Sequence, residues 1–224
     1  MKSTKIEINP TIVPTALSDI ETESAHFASF ASYFQIDVAD GKFAPNTTWL
    51  PQEGDCLPGQ YSYEVHMMVE DPASVGTLFA HAGAKRLIVH VETLKDVEST
   101  KQLFGAWRDA GVESIGVAML LHTSFEDVEP YLSFSDFVLM MTIARIGVQG
   151  IPFEERSIER VAEFARLYPD VLIAVDGGVS EKNIADLVRA GATRFGVGSA
   201  IARAPCPSAS FQNLTSITQD ALGS

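Results

Sequence analysis

Residues 171–201 read VLIAVDGGVSEKNIADLVRAGATRFGVGSAI, and this stretch decides the fold. It opens on a short apolar run, continues through an amphipathic segment to Ala190-Gly191, and then enters a second apolar run. A glycine directly after a segment of helical periodicity is typical of a helix C-terminus, and short β-rich apolar runs indicate strands. The stretch therefore predicts a strand, a helix and a second strand in a βα repeat.

The same repeat recurs along the chain, with Ala-Gly pairs ending at Gly83 and Gly111. Eight strands are predicted, at 6–13, 33–38, 61–66, 86–91, 114–119, 137–141, 171–175 and 194–197. Helical periodicity lies between most of them, at 20–31, 72–82, 96–110, 155–168 and 181–190. This α/β order favours one closed (β/α)8 TIM barrel, a single domain over residues 1–224, and leaves an open doubly wound sheet as the alternative.

Two repeats depart from the regular pattern. Residues 43–61 contain three prolines and no helical period, so a long loop is predicted where the second helix would stand. The helix after the fifth strand is short, from about Phe125 to Tyr131.

Asp71-Pro72 and Ser180-Glu181 predict helix starts. The tail at 205–224 predicts a last helix whose inner face carries Phe211, Leu214, Ile217 and Leu222.

Composition narrows the classes of function. The chain has 224 residues, 46% of them hydrophobic, which is enough for a sizeable core and excludes a wholly disordered chain. A formal net charge of −13 disfavours nucleic acid and anionic membranes as partners, although backbone N–H groups can still bind a phosphate locally. Cys56 and Cys206 show no C-x-x-C spacing, and the N-terminus shows no signal-like apolar segment. We therefore expect a soluble cytoplasmic protein with free thiols.

Three polar side chains stand at or near the ends of predicted strands, where TIM barrels place their functional residues. They are Asp37 in QIDVADG, His66 in YEVHMMV and Asp176 in IAVDGGV. Singly, a histidine is often structural and an aspartate before Gly-Gly is often a turn former. Asp37 lies inside an apolar run, where a carboxylate needs a partner or a metal. Together, two carboxylates and an imidazole suit a divalent metal, and carboxylates can also transfer protons.

A second cluster consists of glycines in the last two βα loops. Gly177 and Gly178 follow the seventh predicted strand, and Gly198 and Ser199 follow the eighth, where a short helix is expected. These loops commonly bind phosphate in TIM barrels, and glycine lets the backbone approach the oxyanion without a Cβ in the way. The sequence thus predicts a small phosphorylated ligand.

Beyond single residues, ordered motifs resemble a known family over nearly the whole chain. They are NPTIVPTALSDI at 9–20, QIDVADGKFAPN at 35–46, EVHMMVEDP at 64–72, AGAKRLIVHVE at 82–92, LMMTI at 139–143 and the ending at 175–201. The family that they resemble is the ribulose-phosphate 3-epimerase family, whose fold is the ribulose-phosphate-binding TIM barrel.

The resemblance implies that Asp37 and Asp176 are acid/base groups on opposite faces of the sugar, one removing the C3 proton and the other returning one. With His66 they would hold zinc, iron or manganese, which polarises the C2 carbonyl and stabilises a cis-enediolate. A homo-oligomer is also implied. Substrate-lining positions would be Thr11 and Met68, and phosphate-binding positions Gly177, Gly178, Gly198 and Ser199.

The chain departs from the family pattern at informative positions. Gln35 stands where the family has its first histidine ligand, and an amide oxygen is a weaker ligand than imidazole for these metals. Ala39 replaces a methionine that lines the site. The loop at 143–150, IARIGVQG, lacks the family's proline and keeps glycines at Gly147 and Gly150, where they would contact phosphate, while Arg145 can add a charge.

Two functions follow, from different classes. The first is a diverged epimerase acting on a ketose or pentulose phosphate, because both carboxylates and His66 are present. The alternative is a non-catalytic barrel that binds a phosphorylated metabolite or a protein partner, because Gln35, Ala39 and the altered loop at 143–150 together depart from the family's site. Phosphosugar lyases and synthases of this fold use an Asp-x-Lys-x-x-Asp element, and residues 37–40 lack the lysine. His90 and Glu92 are interpreted as supporting or structural groups.

Overall fold

The computed structural model describes residues 5–147 and 150–223, which form a closed barrel of parallel strands in sequence order. The strands are β1 (Glu7–Ile12), β2 (Tyr33–Ala39), β3 (Ser62–Met68), β4 (Arg86–His90), β5 (Ser114–Met119), β6 (Phe137–Met141), β7 (Leu172–Asp176) and β8 (Ala192–Val197). Because β8 pairs with β1, the sheet has closed on itself. The TIM-barrel prediction is confirmed, and the open-sheet alternative is wrong.

Helices follow most strands and cover the outside of the barrel. They are α1 (Leu17–Phe27), α2 (Pro72–His81), α3 (Val97–Asp109), α4 (Phe125–Val128), α5 (Arg156–Leu167), α6 (Ile184–Ala190), α7 (Ser199–Ala202) and α8 (Pro207–Leu222). The short α4, continued by the 3-10 helix Glu129–Tyr131, and the short α7 confirm two predictions. Within the described residues, none of these helices combines the length and the apolarity needed to cross a membrane.

Local signals explain where the helices begin and end. Gly83, Gly111 and Gly191 all adopt positive φ, of 97°, 103° and 113°, as expected for glycines that end helices. The Asp71 side chain accepts a hydrogen bond from the Ser74 N–H at the start of α2, which confirms that N-cap.

The predicted start of α6 at residue 181 is wrong by three residues. The Asn183 side chain accepts a hydrogen bond from the Ser180 N–H at 2.9 Å, so a separate turn precedes Ile184. A prediction for α8 also needs correction. Leu222 is 48% exposed, whereas Thr218 and Ala221 are buried beside Leu214. The inner stripe therefore follows residues 214, 218 and 221, at i, i+4 and i+7 of a helix.

The predicted loop between β2 and β3 is confirmed, because no helix interrupts it in this described part of the chain. Its backbone is tied to the barrel by bonds from the Thr48 N–H to the Ala39 carbonyl and from the Trp49 N–H to the Pro14 carbonyl, at 3.0 and 2.8 Å. The Trp49 ring packs edge-on against Phe79 of α2 at 6.0 Å. The loop is therefore anchored, and one side of the barrel mouth is walled by irregular chain.

Candidate functional site

Strand register brings the predicted acid and imidazole groups to one end of the barrel. Asp37 of β2 is the direct neighbour of His66 in β3, and Asp176 is the last residue of β7, beside Gly196 of β8. The side chain of Gln35 lies on the same face of β2 as Asp37, two residues away. One potential ligand atom each of Asp37, His66 and Asp176 lies within 4.8 Å of the others. The structure thus brings the predicted cluster together.

The four side chains form one hydrogen-bonded group. His66 Nδ1 lies 3.2 Å from Asp37 Oδ1 and 3.3 Å from Asp176 Oδ2. Gln35 Nε2 donates to the same two carboxylate oxygens at 2.8 and 2.5 Å. Both carboxylates retain some exposure on their side chains, 15% and 12%, whereas His66 is fully buried. The carboxylates therefore form the face of the cluster that is open to the barrel mouth.

Burial and mutual contact shift the protonation of this cluster. Burial raises the pKa of Asp37, and the nearby charge of Asp176 raises it further. For His66, burial lowers the pKa, but hydrogen bonds to Asp176 and Asp37 outweigh burial and raise the pKa to about 10. A protonated His66 is therefore favoured between the two carboxylates. His66 would have to lose its Nδ1 proton to serve as a metal ligand there, because metal ligands must be deprotonated.

A cavity of about 130 Å³ opens above the cluster. Its walls include every residue predicted to line the substrate or bind phosphate, namely Thr11, Met68, Gly147, Gly150, Gly177, Gly178, Gly198 and Ser199. Arg145, predicted to add a charge, is exposed and does not line this cavity. Residues 148 and 149 of the same loop lie outside the described residues.

The glycines of the last two βα loops differ in why they must be glycine. Gly177 and Gly178 have positive φ, of 110° and 67°, and an added Cβ would lie 2.8 Å from Ile143 and 3.0 Å from the Phe153 nitrogen, respectively. At Gly198 the nearest atom to an added Cβ is in Thr11, at 3.7 Å. Packing therefore does not forbid a side chain at Gly198. The space that glycine leaves there belongs to the cavity.

Comparison with known proteins decides the family. The model of the ribulose-phosphate 3 epimerase family matches residues 7–202. The chain belongs to the ribulose-phosphate 3-epimerase family. Its relatives include the ribulose-phosphate 3-epimerase of Aquifex aeolicus (strain VF5), which is 35% identical over 86% of this chain and 87% of its own length. The ribulose-phosphate 3-epimerase of Bacillus subtilis (strain 168) is 33% identical over 76% and 80%.

Solved structures agree on the fold. The crystal structure of KGPDC from Streptococcus mutans aligns with a TM-score of 0.70 over 98% of this chain and 100% of its own, at 12% identity. The 3-hexulose-6-phosphate synthase from Salmonella typhimurium aligns with a TM-score of 0.71 over 96% of this chain and 100% of its own, at 16% identity. At such identities the likeness shows the barrel alone.

Within this family member, sequence reasoning missed one polar residue of the cavity wall. Asn46 lines the cavity, and its buried Oδ1 has no hydrogen-bond partner among the described residues. The same oxygen would lie 2.5 Å from a Cβ added at Gly147, so the loops after β2 and β6 pack against each other there. The available signal was its position as the last residue of the motif QIDVADGKFAPN.

His90 and Glu92 reach the cluster from behind. His66 Nε2 lies 2.9 Å from His90 Nε2, and His90 Nδ1 lies 3.1 Å from Glu92 Oε2. Burial lowers the pKa of His90 to about 4, so this ring is neutral. His90 and Glu92 can therefore support the cluster, as predicted, through the hydrogen bond from His90 to the imidazole of His66.

Proposed function

We propose that this protein is an epimerase that inverts C3 of a ketose or pentulose phosphate, with ribulose 5-phosphate as the expected substrate. The observation that carries the proposal is the convergence of Asp37 and Asp176, from distant parts of the chain, beside His66 at the base of one cavity. The names of the relatives support the same activity.

In the proposed reaction one carboxylate removes the C3 proton and the other delivers a proton to the opposite face. A raised pKa suits Asp37 to this exchange, because a group that titrates closer to neutral pH serves better as both base and acid. Gln35 holds both carboxylates through one amide nitrogen and so fixes their spacing. Each acid acts on its own face, and the carbon is inverted without a net change in atoms.

The donor set fits a divalent metal. Asp37, His66 and Asp176 would hold it, as zinc, iron or manganese. Gln35 Oε1 is buried and lacks a hydrogen-bond partner among the described residues. Rotating that amide by half a turn exchanges its oxygen and nitrogen with little change in shape, which would turn a fourth ligand atom toward the carboxylates. When bound, the metal supplies positive charge that stabilises the negative charge developing on the sugar oxygens.

The remaining cavity residues would bind the rest of the substrate. We propose that backbone N–H groups of the loops after β7 and β8 bind the phosphate, assisted by the loop after β6. Thr11 Oγ1 is buried without a hydrogen-bond partner within the described chain, which leaves it free for a sugar hydroxyl, and Met68 supplies an apolar wall. The phosphate residues would be Gly177, Gly178, Gly198, Ser199, Gly147 and Gly150.

The experiment measures conversion of ribulose 5-phosphate to its C3 epimer in the presence of added Zn²⁺, Mn²⁺ or Fe²⁺. Proton NMR follows the reaction. We expect conversion by the wild type and a loss of roughly 10²- to 10⁴-fold in Asp37→Asn and Asp176→Asn, because each removes one proton-transfer group. Asp186→Asn is the matched control, since that aspartate pairs with Arg189 on the exposed side of α6. Absence of conversion with all three metals, together with retained binding of the sugar phosphate, would instead support the non-catalytic barrel.

We also propose a homo-oligomer working in the cytoplasm. The support is the family resemblance for the oligomer, and two exposed free thiols, Cys56 and Cys206, for a reducing compartment. Light scattering on the purified protein tests the first proposal, and a mass of one chain at micromolar concentration contradicts it.

A further inference from the structure

A chain of hydrogen bonds links the candidate metal site to a carboxylate outside the cavity. It runs from His66 through His90 to Glu92, with N–N and N–O distances of 2.9 and 3.1 Å. Both imidazoles are fully buried, and the His90 ring also packs against Phe43 at 5.0 Å. Glu92 Oε1, at the other end, accepts hydrogen bonds from the Leu120 N–H at 2.8 Å and from a threonine hydroxyl at residue 123.

The donor-to-acceptor direction of these hydrogen bonds follows from groups that can only donate or only accept. The Leu120 N–H only donates, and an ionised carboxylate only accepts. Glu92 Oε2 therefore accepts from a proton on His90 Nδ1. Because a neutral imidazole carries one proton, His90 Nε2 is then an acceptor, and the proton between the two rings belongs to His66 Nε2. The nitrogen of His66 that remains for the cavity is Nδ1.

We propose that Glu92, acting through His90, is a positioning residue that makes His66 present Nδ1 as its metal-binding nitrogen. The inference rests on the proposed function, because it assumes that His66 is a metal ligand. Outer partners of this kind fix the tautomer and the orientation of a ligating histidine. Here the partner is a second histidine, and the residue that sets the direction is two rings away from the metal.

Replacing one carboxylate oxygen of Glu92 by an amide nitrogen should reverse the donor-to-acceptor direction of these hydrogen bonds. In Glu92→Gln the amide oxygen stays with the Leu120 N–H, because that backbone donor needs an acceptor. The amide nitrogen then faces His90 and donates to Nδ1. His90 must move its proton to Nε2 and donate it to His66. His66 then gives up its own Nε2 proton and becomes neutral, with its remaining proton on Nδ1, where the metal should bind.

The test uses two readouts on the full chain. In protein stripped with a chelator, ¹⁵N-histidine NMR should show the His90 proton on Nδ1 in the wild type and on Nε2 in Glu92→Gln. Calorimetric titration with Zn²⁺ should show roughly 10- to 100-fold weaker binding in the variant. A merely structural role for Glu92 would leave the His90 tautomer unchanged.

Thr123→Val is the matched control, because it removes one hydrogen bond to Glu92 and keeps the carboxylate. We expect it to leave both the tautomer and the Zn²⁺ affinity unchanged. If Glu92→Gln does not fold, His90→Gln retains an acceptor for His66 and should bind Zn²⁺ more tightly than His90→Phe, which does not.

The proposal is overturned if His90 keeps its Nδ1 proton in Glu92→Gln, if Thr123→Val weakens Zn²⁺ binding as much, or if His90→Phe binds as tightly as His90→Gln. A wild type that binds no metal would contradict the metal part of the proposed function instead. The tautomer measurement would then still show whether Glu92 sets the direction of the chain.

Discussion

Gln35 is the side chain at which this site differs most from the motif that surrounds it. Its amide bridges the two carboxylates, and an imidazole at this position would be a stronger metal ligand. We expect Gln35→His to tighten Zn²⁺ binding by roughly tenfold or more, about 1.4 kcal/mol, in competition with a chelator. The space exists because Gly196 has no Cβ, which would lie 2.5 Å from Gln35 Oε1.

Gln35→Leu is the control for that substitution. It removes both hydrogen bonds and adds no ligand, so we expect weaker Zn²⁺ binding than in the wild type. Zn²⁺ binding by Gln35→His that is no tighter than that of the wild type would contradict this prediction.

At the residue scale, much of the site was readable from the sequence. Asp37, His66 and Asp176 were predicted because strand ends in a barrel converge at one mouth, whatever the distance between them along the chain. Asn46 was missed because its place depends on how the loops after β2 and β6 pack together, at Gly147. Loop-to-loop packing has no periodicity from which it can be read. The link between His66 and His90 was likewise invisible until strand register placed both rings inside the barrel.

At the element scale, the start of α1 depends on one carboxylate. Asp19 accepts hydrogen bonds from the Thr15 hydroxyl, the Thr15 N–H and the Ala16 N–H, at 2.6, 2.7 and 3.0 Å. The Thr15 hydroxyl, followed by these two N–H groups, holds the pKa of Asp19 below its usual value. Because the folded pKa is lowered, the stabilisation is complete above the unfolded pKa and is lost as the pH falls through the folded value.

We therefore expect Asp19→Ala to lower the free energy of unfolding at pH 7 by about 1 kcal/mol or less, since the group is only partly buried. Urea denaturation should show this difference shrinking as the pH falls below about 4, where aspartate in the unfolded chain becomes protonated. Glu21→Ala, at an exposed acid on the same helix, is the control and should change stability less. A difference that is independent of pH would rule out the carboxylate as its source.

The boundaries and buried faces of the helices are only partly predictable from sequence patterns. The strands and the glycine-terminated ends of helices are predicted well, because their signals are local in the sequence. A strand is marked by a short apolar run, and a helix end by a glycine such as Gly191, which adopts positive φ. The start of α6 differs from the prediction because the Asn183 side chain accepts a hydrogen bond from the Ser180 N–H, which forms a turn that resembles a helix entry. The apolar character of Leu222 predicts a place on the inner face, yet the register of α8 buries Ala221 instead.

At the scale of the whole molecule, the two ends of the barrel have different tasks. At the amino ends of the strands, Glu7 of β1 bonds Arg86 of β4 at 2.5 Å and lies 3.6 Å from Arg194 of β8. Asn9 joins Glu64 of β3 to the same network at 2.7 Å. These contacts tie together strands that are far apart in sequence. They lie at the opposite end of the strands from Asp37 and Asp176.

We expect Glu7→Gln to lower the free energy of unfolding by about 2 kcal/mol, because charged hydrogen bonds to Arg86 are lost in a largely buried place. Conversion of ribulose 5-phosphate at saturating metal should stay unchanged, since the network does not touch the cavity. Denaturation and turnover of the same sample measure both. A loss of turnover in Glu7→Gln without a loss of stability would contradict the view that this network serves stability and the cavity serves turnover. If residues 1–224 form one domain, we also expect unfolding in a single cooperative transition.

The most direct test of the central claim, that two acids act from opposite faces, is the isotope at C3 after reaction in D₂O. Carboxylates exchange protons with solvent, so the acid that delivers a proton does not return the one that its partner removed. We predict that the epimer formed by the metal-loaded protein carries deuterium at C3, detected by NMR or mass spectrometry. An epimer that retains its protium at C3, or no epimer with any of the three metals, would contradict the account.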